Sequence, residues 1–419
     1  MCVFVSLGET AAVRKGNVVK VIGTKGNWQL TINGEAFRIK GVGVGRAVGR
    51  DGVDYLKMAR DMGANTVRTW GISQGDRHYL DTAHRYGLKV DAGIWLDPVL
   101  DKSAHSYLDK NYLNKVRQEI LRYIRAYKNH PAVILWNIGN EVVFFTKDEN
   151  ERVAFCQFLE SIIQEVHKID PDHPVIYTSS ATNDIAYLKK YVPSLDIVGI
   201  NTYGGIEFIH QEVTAMFDIP YLVTEFGSLG EWDRGKDANG VSLELNDDSK
   251  MSYYKQFAHT IRNYYGHSLG GFAFFLGDTT QVSLSWWNIN HGSFKKYPYL
   301  VMEDFYKERE FRRAPFVVKE LTLSRSTLKP REDFEVSVEL KNVLDPAGTV
   351  EYSYLASTAS EAVLMEYPNT RIPVEVEGIG PKVRIKAPAE PGTYRIYAVA
   401  SSGDYASILN KSIKVIAPD

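Results

Sequence analysis

Two glutamates, Glu141 and Glu225, are the residues of this sequence best placed to do chemistry. Each follows a run of apolar residues that is typical of a buried strand, AVILWNIGN before Glu141 and IPYLVT before Glu225. Parallel strands that are covered on both faces have this composition, and in a barrel their carboxyl ends form the mouth. Two carboxyl groups facing each other across a mouth can cleave a glycosidic bond, because one donates a proton while the other attacks the sugar.

The two glutamates are expected to differ in protonation. Burial disfavours the ionised form, so the pKa of Glu141 is expected to rise toward that of a general acid. Arg68, in TVRTW, is expected to keep Glu225 ionised as the nucleophile. A retaining mechanism needs the two carboxyl groups about 5 to 5.5 Å apart. The alternatives are a capping or surface-pairing role for Glu141 and a structural ion pair with another residue for Arg68.

Other polar and aromatic residues are predicted at the strand ends. Asn140 precedes Glu141, and Tyr203 ends GINTY, where its phenol can donate to a carboxylate, with Asn201 nearby. The alternative role of Tyr203 and Asn201 is to satisfy backbone groups at the strand end. Four tryptophans are candidate platforms for sugar rings, although large aromatic residues more often pack in a core. These tryptophans are Trp70, Trp95, Trp286 and Trp287.

The order of strands and helices predicts a barrel that holds these residues at one end. After a hairpin with an Asn33-Gly34 turn, short apolar segments alternate with helical periodicity from IKGVGVG to LGGFAFFLG. Eight strands separated by seven helices over about 240 residues match a (β/α)8 TIM barrel. A doubly wound sheet is disfavoured, because the glycines of GVGVGR lie inside an apolar strand instead of a phosphate-binding turn. A charged helix, MEDFYKEREF, is predicted after the eighth strand.

The composition changes at residues 312–315. Beyond them, segments such as DFEVSVEL and GTYRIYAVASS show strand alternation without a helical period, as in an immunoglobulin-like or fibronectin-like sandwich. The predicted domains are a leader or disordered segment at 1–16, a catalytic barrel with its N-terminal hairpin at 17–313, and a C-terminal β-sandwich at 314–419. We interpret the sandwich as structural, with its tyrosines in the core. The alternative is a sugar-binding module with an exposed platform formed by Tyr352, Tyr354, Tyr394 and Tyr397.

Composition and charge exclude several classes of partner. Lys and Arg total 49 against 51 Asp and Glu, which gives a net charge of −2. The chain therefore has no excess of positive charge to attract nucleic acid or an anionic membrane surface. The sequence has no apolar run of about 20 residues, the length that a membrane span requires. Two cysteines, Cys2 and Cys156, indicate no disulfide framework. The start, MCVFVSLGETAA, is similar to the end of a secretory leader, so a secreted or periplasmic location is the expectation.

Four segments together resemble the catalytic barrel of glycoside hydrolase family 2 and its clan A relatives. They are HPAVILWNIGNE, PYLVTEFG, FRIKGVGVGR and LKMARDMGANTVRTWG. The resemblance spans roughly residues 27–290 and implies a retaining β-glycoside hydrolase that acts on a β-linked oligo- or polysaccharide. By it, Glu141 is the acid/base, Glu225 the nucleophile and Asn140 the partner of the sugar 2-hydroxyl, while Arg68 and Tyr203 support the nucleophile. No cofactor and no metal ion is expected.

The sequence also departs from the family pattern. In the family, large sandwich domains precede the barrel, whereas the β-domain predicted here follows it. Many relatives end strand eight with a tryptophan, whereas this strand ends Phe-Phe-Leu-Gly-Asp. The platform below the reacting sugar therefore requires that Trp286 or Trp287 return to the site.

Other enzymes with a barrel fold would need different residues at the predicted strand ends. A Schiff-base aldolase is excluded because LDIVGINTY carries no lysine, and a metal-dependent hydrolase because neither H-x-H nor H-E-x-x-H is present where such sites need it. Two alternatives stay open. One is a β-glucan transglycosylase that uses the same glutamates, which GINTYGG and TEFG resemble, and the other is a non-catalytic carbohydrate-binding barrel.

Overall fold

The computed structural model describes residues 16–180, 182–343, 350–362 and 365–417. Eight of its strands form a closed parallel barrel, and two further sheets follow it. This confirms the predicted TIM barrel followed by an all-β sandwich. The predicted leader lies outside the described residues except for Gly16. Within the described ranges, no helix is both long and apolar enough to cross a membrane.

Three antiparallel strands cover the floor of the barrel. They are β1 (Val19–Ile22), β2 (Gln29–Ile32) and β3 (Glu35–Phe37). Asn33 and Gly34 connect β2 to β3 with φ values of 53° and 89°, as the tight two-residue hairpin turn requires. Leu30 and Ile32 pack in one cluster with residues near the start of the barrel strands, such as Ile39. The hairpin therefore lies at the end of the barrel opposite its mouth.

The barrel strands are parallel, each pairs with the next along the chain, and the last closes on the first. They are β4 (Ile39–Gly43), β5 (Thr66–Arg68), β6 (Lys89–Ile94), β7 (Val133–Asn140), β8 (Val175–Ser179), β9 (Ile197–Thr202), β10 (Tyr221–Phe226) and β11 (Ser268–Ala273). Arg68, Asn140 and Glu225 lie at or near the C-terminal ends of β5, β7 and β10. All three therefore reach the same mouth.

Helices connect the barrel strands and pack around the barrel. They are α1 (Tyr55–Met62), α2 (Arg77–Arg85), α3 (Lys110–Tyr127), α4 (Val142–Phe145), α5 (Glu149–Ile169), α6 (Thr182–Tyr191), α7 (Ile206–Met216), α8 (Asp247–Asn263) and α9 (Tyr297–Tyr306). In α5 the predicted apolar positions between Phe155 and Val166 are buried. This burial explains the 3.6-residue period of that segment.

Two helices differ from the sequence pattern. The pattern does not predict α4, because four residues are too few to show a period. The predicted helix MEDFYKEREF is wrong in position: the observed α9 begins at Tyr297 and ends at Tyr306, and all ten of its residues are buried. Pro298 favours a helix start there. Glu308, with a φ of 56°, lies beyond its end, so the charged half of the segment continues as a loop.

Two sheets form the sandwich. Its strands and the preceding hairpin are β12 (Asn290–His291), β13 (Phe294–Lys295), β14 (Val317–Leu323), β15 (Thr327–Leu328), β16 (Asp333–Lys341), β17 (Glu351–Thr358), β18 (Arg371–Ile372), β19 (Val376–Glu377), β20 (Lys382–Lys386), β21 (Gly392–Ser402) and β22 (Tyr405–Val415). One sheet has the order β12-β13-β22-β21-β17-β18 and the other β14-β16-β20-β19. Lys295 pairs with Tyr405. The segment that follows the barrel thus adds strands to the sandwich.

The sandwich tyrosines are packed inside the domain. Tyr354, Tyr394 and Tyr397 are buried, and between β17 and β21 they lie opposite Ala398, Thr358 and Leu355 respectively. Tyr352 is half-buried and packs against the same core. These rings fill a core, as the structural interpretation of the domain requires, and do not form an exposed platform.

Buried polar contacts join the sandwich to the barrel. Asp247, at the start of α8, accepts hydrogen bonds from the Ser407 hydroxyl at 2.9 Å and from the Ile408 amide at 3.0 Å, both in β22. Lys296 Nζ lies 3.2 Å from the same carboxylate, and neither charged side chain is exposed. Buried charges are tolerated only when they are paired. These contacts therefore define one arrangement of the two domains.

Candidate active site

Glu141 follows β7 in an unusual backbone conformation. Its φ is 55°, a left-handed value that is uncommon for residues other than glycine and asparagine. Its amide donates to the Thr178 carbonyl oxygen at 2.8 Å, so pairing with β8 continues through this residue. Asn201 Nδ2 donates to Glu141 Oε1 at 2.6 Å. The strained backbone and the amide contact together hold the carboxyl group at the cleft that opens at the barrel mouth.

The surroundings of Glu141 favour its protonated form. Burial makes the largest contribution and the negative charge of Glu225 adds to it, and together they raise the pKa of Glu141 to about 8. The hydrogen bond from Asn201 and the charge of Arg68 oppose this rise. At neutral pH Glu141 is therefore mostly protonated, as a general acid must be.

The carboxylate of Glu225 accepts three hydrogen bonds. Arg68 Nη1 and Trp70 Nε1 donate to Oε1 at 2.6 Å and 2.7 Å, and the Tyr203 hydroxyl donates to Oε2 at 2.6 Å. Three donors, one of them a guanidinium, fix the position of both carboxylate oxygens at the mouth of the barrel. Burial and the charge of Glu225 keep the pKa of Tyr203 well above its usual value, so the phenol remains a donor.

Arg68 has both roles considered for it from the sequence: it supports Glu225, and it forms an ion pair with another residue. Besides its bond to Glu225, its Nε atom lies 3.7 Å from Asp91 Oδ2 in β6, and both side chains are fully buried. Burial raises the pKa of Asp91 to about 6, and the charge of Arg68 opposes this rise. Sequence reasoning missed Asp91. The only available signal was a single acidic residue inside the apolar strand KVDAGI.

Asn140 and Asn201 link the two glutamates. Asn140 Oδ1 accepts hydrogen bonds from Arg68 Nη2 at 2.8 Å and from Asn201 Nδ2 at 3.2 Å. Because both contacts use the carbonyl oxygen, the amide group of Asn140 remains for a sugar hydroxyl. The predicted residues Glu141, Glu225, Arg68, Asn140 and Tyr203 are thus brought together in one hydrogen-bonded network.

Three of the four predicted tryptophans line the cleft. Trp95 is 45% exposed and fits the platform role. The indole of Trp70 donates to Glu225, so Trp70 positions the nucleophile. A Cβ atom on Gly43 would lie 2.6 Å from the Trp70 ring, which explains one glycine of the GVGVGR segment. Trp287 returns to the site after β11, with its ring 4.8 Å from that of Tyr203.

The prediction for Trp286 is wrong. Its side chain is buried and absent from the cleft lining, and its indole nitrogen donates to the Leu229 carbonyl oxygen at 3.1 Å. Its ring packs beside that of Trp287, with the ring centres 6.3 Å apart, and of the two neighbouring tryptophans Trp287 lines the cleft.

The structure adds cleft residues that the sequence pattern did not reveal. Phe144 in α4 and Trp232 after β10 are 49% and 58% exposed, and both line the cleft. Phe274 and Phe275, directly after β11, also line the cleft. The cleft has a volume of about 1690 Å³. Exposed aromatic rings in helices and loops carry no periodic signal, so only the folded structure shows that they face one cavity.

Comparisons with known proteins agree with this geometry. Residues 25–230 match the family described as "Glycosyl hydrolases family 2, TIM barrel domain". The chain is 25% identical to the β-glucuronidase of Chlorocebus aethiops over 223 aligned residues. This alignment covers 48% of this chain and 32% of that protein. It is 26% identical to the β-glucuronidase of Rattus norvegicus over 220 aligned residues, and this alignment covers 47% of this chain and 32% of that protein. The chain thus spans about a third of the length of these curated relatives.

Solved structures show the same fold. The β-D-glucuronidase of Dictyoglomus thermophilum aligns with a TM-score of 0.54 and 17% identity, over 71% of this chain and 54% of that chain. An FMN-binding β-glucuronidase from Faecalibacterium prausnitzii L2-6 aligns with a TM-score of 0.52 and 15% identity, over 96% of this chain and 59% of that chain. At this level of identity the likeness concerns the fold alone.

Proposed function

We propose that this chain, whose barrel is a TIM barrel domain of glycosyl hydrolase family 2, is a retaining β-glycosidase. Glu225 is its nucleophile and Glu141 its acid and base. The observation that carries this proposal is the contrast between the two carboxyl groups. Glu225 accepts hydrogen bonds from a guanidinium, an indole and a phenol. Glu141 accepts a hydrogen bond from one side-chain amide, and its pKa is raised. A carboxyl group with a raised pKa suits the acid, and a carboxylate held in place by three donors suits the nucleophile.

The reaction takes place in two displacements. In the first, a Glu225 oxygen bonds to the anomeric carbon as the bond to the leaving oxygen breaks, and Glu141 gives its proton to that oxygen. In the second, the ionised Glu141 takes a proton from water as the water oxygen bonds to the anomeric carbon and Glu225 leaves. The product keeps the β configuration because each displacement inverts the centre once. A sugar hydroxyl in place of water would give transglycosylation through the same intermediate.

The cleft supports a β-linked oligosaccharide or polysaccharide as substrate. Its volume of about 1690 Å³ exceeds the roughly 300–1,000 Å³ of a site for one small molecule. Trp95, Phe144 and Trp232 present exposed rings after β6, β7 and β10 respectively. Rings on several sides of the mouth can stack on sugars beyond the one that reacts.

The roles of the two glutamates can be tested by azide rescue with an aryl β-glycoside. Glu225→Ala and Glu141→Ala are each expected to lower kcat/KM by about 10³-fold or more. Azide should rescue Glu225→Ala to an α-glycosyl azide, because it enters the space of the lost nucleophile. It should rescue Glu141→Ala to a β-glycosyl azide, because the covalent intermediate still forms.

The exposed residue Glu35 on the barrel floor provides the matched control. Glu35→Ala should leave kcat/KM unchanged. Unchanged activity in either Glu141→Ala or Glu225→Ala, or the same azide anomer from both, would refute the assignment.

A further inference from the structure

The cleft contains little positive charge. Among the described residues that line it, Arg46 is the only lysine or arginine, and His78 is exposed on α2. Acidic side chains are more numerous, because Asp76, Glu231, Asp233 and Glu366 also line the cleft. Arg68, deeper in the site, directs its guanidinium to Glu225, Asn140 and Thr178.

Arg46 is itself paired with an acidic residue. Its Nη2 atom lies 3.4 Å from Glu366 Oε2, and about half of each side chain is exposed. Glu366 belongs to the sandwich, in the segment between β17 and β18. The pair therefore forms between the two domains at the edge of the cleft.

Backbone contacts hold Glu366 in place. Its carbonyl oxygen accepts hydrogen bonds from the Thr279 hydroxyl at 2.7 Å and the Thr280 amide at 3.1 Å, in the segment after β11. The next residue, Tyr367, donates to Asp278 Oδ1 at 2.9 Å, and the Arg50 guanidinium lies 3.6 Å from the centre of its ring. Because these contacts do not use the Glu366 carboxylate, its charge can be removed without releasing the segment.

We propose that the cleft selects uncharged β-linked sugars over uronides. The Arg46–Glu366 pair contributes to this selection, because Glu366 already binds Arg46 and so keeps it from a sugar carboxylate. The inference rests on the proposed function and specifies its substrate class. A sugar carboxylate must lose water on entry and regain contacts with charged donors. Here it would meet carboxylates instead, and the juxtaposition of like charges opposes binding.

Uncharged sugars fit the same lining. Their hydroxyls can donate to Asp76, Asp233 and Glu231 and accept from the amide of Asn140. Their apolar faces can stack on the exposed rings of Trp95 and Trp232. The chain would thus differ in substrate charge from the relatives that are named β-glucuronidases.

Matched aryl glycosides test the selection. The pairs are the 4-nitrophenyl β-glucoside and β-glucuronide, and the 4-nitrophenyl β-galactoside and β-galacturonide, which differ only at C6. We expect kcat/KM to be at least 100-fold higher for the uncharged member of each pair that reacts. Faster reaction of the uronides would overturn the inference and leave the glycosidase assignment intact.

Binding separates this inference from the proposed function. If none of the four glycosides reacts, binding of oligosaccharides tests the inference without requiring turnover. Calorimetry with β-1,4-mannotriose and with the β-1,4-linked trimer of mannuronate then decides the inference. Tighter binding of mannotriose supports it, and tighter binding of the mannuronate trimer, or no binding of either, overturns it.

Glu366→Gln tests the role of the ion pair. It removes the partner of Arg46 and one negative charge, so the preference for the uncharged sugar should fall by about tenfold. Asp233→Asn removes a negative charge from the same cleft without touching the Arg46–Glu366 pair, and should lower the preference less. An unchanged preference in Glu366→Gln, with an unchanged melting temperature, would overturn the role of the pair.

Discussion

Arg68 Nη2 donates to Asn140 Oδ1 at 2.8 Å, and this bond connects the two halves of the site. On one side of it, Arg68 Nη1 binds Glu225 at 2.6 Å. On the other side, Asn140 directly precedes Glu141, and Asn201 contacts both Asn140 and Glu141. The nucleophile and the acid are therefore positioned by one continuous network, so a change at Arg68 affects both.

Replacement of Arg68 should impair the nucleophile. Arg68→Met removes the charged donor to Glu225 and leaves the buried Asp91 without its cation, and we expect kcat/KM to fall by about 10²- to 10³-fold. Arg68→Lys keeps the charge but cannot reach Glu225 and Asn140 together, so its loss should be intermediate. Steady-state kinetics on an aryl glycoside provide the measurement. Equal activity in the two variants and the parent chain would contradict this role.

The barrel and its main catalytic candidates were predictable because their signals are local. A buried parallel strand has an apolar run of its own, and the residue that ends the run lies at the mouth whatever the rest of the chain does. Glu141, Glu225, Arg68 and Tyr203 all follow this rule. Their positions therefore required no knowledge of contacts between distant segments.

The remaining cleft residues depend on contacts between distant parts of the chain. Glu366 reaches the cleft because the sandwich docks on the segment after β11, and no local pattern encodes that docking. Trp286 and Trp287 are adjacent and chemically identical, so the sequence cannot distinguish the one that lines the cleft. Trp70 shows a third limit, because its position was predicted while its hydrogen bond to Glu225 was not.

The pH dependence of catalysis should report Glu141. Glu141 must be protonated in the first displacement, so kcat/KM should fall as pH rises above about 8, the pKa to which burial and Glu225 raise it. Asn201 donates to Glu141 and lowers this pKa. Asn201→Ala should therefore move the alkaline limb to higher pH. The profile is measured with a glycoside whose leaving group needs protonation.

Glu141→Ala is the control for that profile. With a dinitrophenyl glycoside, whose leaving group needs no proton, the first displacement should show no alkaline limb due to residue 141. A limb that persists at the same pH in this variant would assign it to another group.

Tyr203→Phe should lower kcat more than it changes KM. The substitution removes the donor to Glu225 Oε2 but keeps the ring that packs on Trp287, and we expect a loss of about 10- to 100-fold. Tyr187→Phe is the matched control, because its hydroxyl donates to Glu149 between surface helices at 2.6 Å. A similar change in both variants would show that Tyr203 does not act on the nucleophile.

Stability should depend on the buried pair that joins the domains. Lys296→Met leaves Asp247 buried without its cation, and we expect the free energy of unfolding to fall by about 3–5 kcal/mol. Lys319→Met is the control, because the Lys319–Glu339 pair is half-exposed on the sandwich surface and should contribute little. Urea unfolding provides the measurement, and equal midpoints in the two variants would contradict the prediction.

Lys296 also donates to the carbonyl oxygens of Ser285 and Asn288, at 3.0 Å each, on either side of Trp287. Glycosidase activity in Lys296→Met should therefore decline at urea concentrations below the unfolding midpoint, because the Trp287 segment loses its anchor before the domains separate.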